Sequence, residues 1–281
     1  MPQLQLNKLL GALRFQSKNI ELPSQYELVP QPERESYVAS LSPQDRVAIP
    51  RLIPAWYKPA LPIAPHQLMC DHAGQSFKDL HDTMCDAIAY AHNMWRLQAK
   101  FTPMPIAGPA VAGPPGCLTG PTLEALVKQY PSYASLTPMQ KKYGDSIAAG
   151  VSKAFQLWQT GVAVPGLPFF PSYAMQPPGP AIPTPNVPQK LIACVSAGMA
   201  SIVVPNVMKE LMSASFKEHG LQSDESTDTL FDAISTVLSL GFIDWLSNQM
   251  VMNIVGSGAV ASIVGGPVAG VTLPTPGHLA A

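Results

Sequence analysis

Charge is what this 281-residue chain has least of: Lys, Arg, Asp and Glu make up 12% of it, against about 25% in an ordinary soluble domain. The 17 basic and 18 acidic residues cancel to −1. No basic stripe with interleaved aromatics is present, which argues against nucleic acid as a partner. Cysteine is scarce as well. Cys70, Cys85, Cys117 and Cys194 have no paired spacing, so free thiols are expected rather than a disulfide framework. The opening MPQLQLNKLLGALRF lacks the apolar core and small-residue cleavage site of a signal peptide. Neither a Gly-x-Ser-x-Gly elbow nor a HExxH stretch occurs, and the glycine runs lack the lysine and following helix of a phosphate loop. No catalytic residue and no cofactor are expected.

What is present is a pattern centred on residues 145–158, DSIAAGVSKAFQLW, with a weaker copy on either side. Aligned on Trp95, Trp158 and Trp245, the positions 4, 7, 8, 11 and 15 residues upstream are apolar or small in each. They read Ala91, Ile88, Ala87, Met84, Leu80; then Ala154, Val151, Gly150, Ile147, Tyr143; then Gly241, Leu238, Val237, Ile234, Leu230. That spacing is one face of an α-helix. An aspartate stands 13 residues before each tryptophan, Asp82, Asp145 and Asp232. It is expected near the helix start, where the dipole favours a carboxylate. Gly116, Gly179 and Gly266 each fall 21 residues after a tryptophan. Together these matches read as an internal repeat.

Three segments, 101–123, 154–189 and 245–281, contain no charged residue. Beyond the helix ends they are rich in Gly and Pro and read as short extended pieces and hairpins. Their backbone groups need partners and their apolar atoms need cover, which neighbouring subunits are expected to supply. Residues 1–65 read as an extended N-terminal arm with one helix over residues 4–15, its apolar positions being Leu4, Leu6, Leu9, Leu10 and Leu13. Pro50, Pro54, Pro59, Pro62 and Pro65 exclude regular helix from the rest. Trp56 and Tyr57 would anchor the arm in a groove. Within the charge-free segments, Phe169, Phe170, Ile254, Val255, Ile263 and Val264 are the expected contact residues. The domain reading is an arm over 1–65, repeat 1 over 66–135, repeat 2 with its following helices over 136–222, and repeat 3 over 223–281. The fold class expected is mainly α with short β or irregular Gly/Pro-rich inserts, built as three degenerate helix-plus-hairpin repeats.

Two stretches compete with a structural role. Cys70, His72, His81 and Cys85 offer two thiols and two imidazoles, a set that would suit tetrahedral zinc and makes a zinc-dependent enzyme one alternative. Their spacing matches no established zinc pattern, and surface histidines with buried thiols are the simpler assignment, so no metal is expected. Residues 251–271, from Val251 to Val271, run 21 positions without charge, the length of a membrane span. Five glycines, Asn253, two serines and a proline make a poor spanning helix. Membrane insertion is the other alternative.

An amphipathic helix, a tryptophan and then charge-free GGPVAGVTLPTPG resembles what recurs in virion structural proteins of tailed bacteriophages, near the tail and baseplate. The resemblance is compositional and covers residues 77–121, 143–188 and 230–281. It implies a non-enzymatic virion component made in the host cytoplasm and present in several copies. Its partners would be other copies of itself and other structural proteins, with neither nucleic acid nor membrane among them.

Overall fold

A computed structural model describes residues 3–17, 64–107, 110–169, 179–180, 183–260 and 268–279. In chain order these form α1 (Lys8–Ser17), α2 (Ala64–Gln98), β1 (Lys100–Phe101), β2 (Pro105–Ala107), β3 (Ala110–Gly113) and β4 (Leu118–Thr119). There follow α3 (Leu123–Val127), α4 (Pro131–Ala134), α5 (Pro138–Gly161), β5 (Val162–Pro168), β6 (Gly179–Pro180), β7 (Thr184–Pro185), β8 (Gln189–Lys190) and β9 (Val195–Ser196). The chain continues through α6 (Met199–Val203), α7 (Pro205–Glu218), α8 (Glu225–Asn248), β10 (Met250–Val251), β11 (Val255–Val260) and β12 (Val268–Thr272).

The starts of the long helices follow from their capping residues. Thr137 and Gln140 form a reciprocal capping box at α5, with Pro138 in the first turn. At α8 the cap is Asp224, whose carboxylate accepts from the Thr227 backbone N–H at 2.7 Å. Ser226 and Thr227, also cap-type residues, lie inside the helix. Helix α2 begins at Ala64, inside the stretch from which Pro65 was expected to exclude helix, because Pro65 occupies the first turn, where no N–H is needed. The helices expected to follow repeat 2 do not begin at once: β8, a 3-10 turn and β9 come first, since those backbones pair with β10 and β5. In the arm, helix begins only at Lys8. Leu4, Gly11 and Phe15 turn inward, while Leu9 and Leu13 stay exposed.

Each long helix ends three residues beyond its tryptophan. The next residues, Ala99, Val162 and Gln249, are fully buried, and the chain goes straight into β1, β5 or β10. The three indoles therefore meet, with ring centroids 6.0, 6.2 and 5.7 Å apart. Three residues upstream, His92, Phe155 and Phe242 form a second triangle with centroids 5.8, 5.7 and 5.7 Å apart. Further back come Ile88, Val151 and Leu238, then Met84, Ile147 and Ile234, all buried. Burying three indoles of about 200 Å² each contributes about 15 kcal/mol gross at about 25 cal/mol per Å². Shorter helices fill the grooves between the long ones: α3 between α2 and α5, α6 and α7 between α5 and α8, and α1 between α8 and α2.

Beyond the tryptophans lies an eight-stranded antiparallel sheet in the order β6-β11-β12-β2-β3-β5-β9, with β7 also paired to β11. Asn186, after β7, bridges Phe169, after β5, so the sheet curls round and joins its own far side. Asn186 fastens this closure from within. Its side-chain NH₂ donates to the Val251 carbonyl at 3.0 Å, and its amide oxygen accepts from the Ile254 N–H at 2.9 Å.

This sheet overturns the expected fold class, a mainly α chain with short β or irregular inserts in three helix-plus-hairpin repeats. The hairpins are not three separate inserts. Strand β3 pairs with β5, β7 with β11, and β12 with β2, so each charge-free segment is hydrogen-bonded to the other two. The physical reason is that one hairpin is marginal alone, whereas curling six or more strands together removes exposed edges. The backbone partners expected from neighbouring subunits thus come from inside the chain.

Candidate functional site

The Cys/His set does not converge. Helix α2 is continuous over its 35 residues, so His72 and His81, nine residues apart, are separated by about 13.5 Å along the axis. His72 is exposed and His81 fully buried, while the Cys70 side chain lies outside the described residues. His81 Nδ1 is 3.0 Å from Asp82 Oδ1, and its Nε2 is 3.9 Å from Cys85 Sγ. Burial pushes the His81 pKa down against the pull of Asp82, and pushes the Cys85 thiol far up, with Asp82 adding to the effect. A neutral imidazole beside a protonated, enclosed thiol is neither a nucleophile nor an open ligand set. Burial likewise raises Cys117 to about 11 and Cys194 to about 12. Among the described residues, no group of three or more His, Cys, Asp or Glu is placed to hold a metal.

The three aspartates are not dipole partners at helix starts. Asp145 and Asp232 are the eighth residues of α5 and α8, and Asp82 lies still deeper in α2; the dipole effect fades within the first turn. Each instead takes a polar neighbour. Asp82 accepts from Lys78 at 2.7 Å. Asp145 accepts from the Tyr133 hydroxyl at 2.9 Å and pairs with Lys128 at 3.2 Å. Buried Asp232 accepts from Arg14 Nε at 2.8 Å.

The tryptophans are core residues. Trp95 Nε1 donates to Gln159 at 2.9 Å and Trp245 Nε1 to Gln249 at 3.0 Å. The layer containing His92 went unread in the sequence, although an aromatic or imidazole ring three residues before every tryptophan is a visible signal. Trp56, Tyr57, Phe170, Ile263 and Val264 lie outside the described residues. Phe169 and Ile254, expected at an interface, are buried inside the sheet, and Val255 is half-buried in β11. Apolar side chains on a curled sheet fill its interior first.

The feature that stands apart is the outer face of the sheet. None of its eight strands contains Asp, Glu, Lys or Arg. Val111, Leu167, Val260 and Val268 point inward, whereas Pro105, Ala112, Pro165, Ala259, Ala269 and Val271 face out. Val271 is 50% exposed and Val195, on β9, is 60% exposed. Lys100 and Lys190 sit in the two-stranded pairs β1–β4 and β10–β8, outside this sheet. Charge is concentrated elsewhere, as in the surface cavity of about 460 Å³ lined by Lys209, Asp224, Glu225, Asp228 and Asp232.

Residues 251–271 contribute β11 and most of β12 to the sheet, and one residue of β10 to its pair with β8, so a spanning helix there would have to dismantle those pairings. Among the described residues one helix, α8, is long and apolar enough to cross a membrane, and 78% of its most apolar window is buried inside the chain. Comparison with protein-family models, curated proteins and solved structures gives no match.

Proposed function

We propose that this chain is a non-enzymatic structural subunit of a large assembly, and that other copies of it cover the outer face of its sheet. The observation that carries this reading is an eight-stranded sheet without a charged side chain. A sheet facing water is ordinarily given outward lysines and acids that keep it soluble and apart from its neighbours. A face of Pro, Ala, Gly and Val has no ions to strip of water when it is covered. At about 25 cal/mol per Å², a contact of ~1,600 Å² would gross tens of kcal/mol before association costs. Because the strands already pair with one another, contact is made through side chains rather than by adding a strand. The compositional resemblance to tail and baseplate proteins supports a phage virion as the particle, with synthesis in the host cytoplasm.

Light scattering on the full chain in neutral, detergent-free buffer tests the reading. The parent is expected as a defined oligomer. Val271→Lys, at an exposed position, is expected to reduce the mass while leaving thermal unfolding unchanged. A parent that stays a single chain at every concentration, or a Val271→Lys chain of unreduced mass, would overturn the sheet face as the contact.

A further inference from the structure

After β12 the chain leaves the sheet and fastens once more. The Leu273 N–H donates to the Val255 carbonyl at 2.9 Å, and Leu273, Pro274, Thr275 and Pro276 then stand exposed. Gly277, at φ +93°, takes a left-handed turn that suits glycine. His278 and Leu279 drop back into the fold, both fully buried. Among the described residues, two hydrogen bonds hold the segment beyond Leu273 to the rest of the chain, and His278 makes both. Its carbonyl accepts from the Met252 N–H and its ring Nδ1 from the Phe101 N–H, each at 3.0 Å. The last residues are thereby tied to β1 and to the connection between β10 and β11.

One of these bonds fixes a protonation state. A backbone N–H can only donate, so Nδ1 must carry a lone pair, and the ring proton sits on Nε2, 3.1 Å from Thr275 Oγ1. A proton on Nδ1 as well would point at the hydrogen of Phe101 and end the bond. Among the described residues around it, no acid offers the cation a counter-charge. Val251, Met252, Asn253 and Ile254 cannot ionise, nor can Leu118, opposite Phe101 on β4. Lys100, beside Phe101, is exposed and of the wrong sign. The Cys117 thiol, ahead of Leu118, is held protonated by burial. Burial accordingly lowers the His278 pKa from 6.5 to about 4.

We infer that residues 274–279 are a latch, closed over β1 and the β10–β11 connection while His278 is neutral and released in acid ahead of the helices. Release bares the Phe101 and Met252 N–H groups and withdraws Leu279 from the core. A segment held by two hydrogen bonds and two buried side chains opens at far lower cost than the tryptophan-bearing helices. The open segment takes up the proton near pH 6.5 and the closed one only near pH 4. Closure is therefore complete above pH 6.5 and weakens as the pH falls.

Hydrogen exchange at the Phe101 and Met252 amides, corrected for its intrinsic dependence on pH, tests the latch in the full chain and in His278→Asn. The asparagine amide oxygen can accept from Phe101 but does not titrate. In the parent both amides are expected to exchange faster than the interior of α5 at every pH, and to lose about 20-fold in protection between pH 7 and pH 5. In His278→Asn that loss is expected to vanish. Equal losses in parent and variant, or exchange no faster than in α5, would overturn the latch. Should the variant leave both amides unprotected at pH 7, an NMR titration of the parent decides. The Phe101 amide resonance is then expected to move together with the His278 ring protons, and an amide that does not follow them would overturn the inference.

Discussion

Replacing His92 by phenylalanine should make the protein more stable, and more so in acid. The imidazole stands among Trp245, Phe242, Phe155 and Trp95, with ring centroids at 4.3, 5.7, 5.8 and 5.8 Å. Neither of its nitrogens has a hydrogen-bond partner among the described residues. Burial, with the nearby Arg96 charge adding to it, pushes its pKa from 6.5 down to about 3. The unfolded chain therefore takes up this proton near pH 6.5, while the folded chain refuses it until near pH 3. Stability tied to His92 is complete above pH 6.5 and falls as the pH drops, by roughly 3 kcal/mol at pH 4.5. At pH 7, His92→Phe removes buried polar atoms without partners, a gain of about 1–3 kcal/mol. The advantage of the variant should then widen to about 4–6 kcal/mol at pH 4.5. Urea unfolding followed by tryptophan fluorescence, at both pH values, measures it. His81 and His278, whose pKa values are also lowered by burial, titrate in both proteins and cancel in the difference. Equal acid losses in parent and variant would refute a neutral, enclosed His92.

Gly150→Ala sets two effects against each other. Helix propensity favours alanine by about 1 kcal/mol, but the new Cβ would lie 2.5 Å from Met212 Cα in α7, and moving packed backbone costs about 1–3 kcal/mol. A net loss in urea unfolding is expected, and a net gain would mean that α5 and α7 do not cross so closely. Asn186→Ala leaves the Ile254 N–H and the Val251 carbonyl without their side-chain partner. A loss of about 2–5 kcal/mol follows, read as a lowered thermal midpoint; an unchanged midpoint would remove Asn186 as the clasp of the sheet.

The helical half was legible because burial on a helix repeats with a short period. Leu80, Met84, Ile88 and Ala91 read as one face in the sequence, and all four are buried. The capping box at Thr137 was legible for the same reason, being local chemistry among residues three apart. The start of α2 was misread because a proline that ends most helices is harmless in a first turn. The aspartates were misread because spacing from a tryptophan says nothing about where the helix begins. A ring three residues before each tryptophan, His92, Phe155 and Phe242, is visible in the sequence, but only the approach of α5 and α8 makes His92 an imidazole among aromatic rings.

What the sequence by itself determined is therefore the three tryptophan-bearing helices, the faces they bury, and the absence of charge from the segments that follow, because composition and periodicity are properties of neighbours along the chain. The tertiary structure alone decided where those segments find their hydrogen bonds. Each offers only short, proline-interrupted strands, and pairing such strands is a choice among partners far apart in sequence. Val111 opposite Leu167, Gly256 opposite Thr184 and Gly270 opposite Ile106 form one curled sheet, which no local pattern in any of the three segments contains.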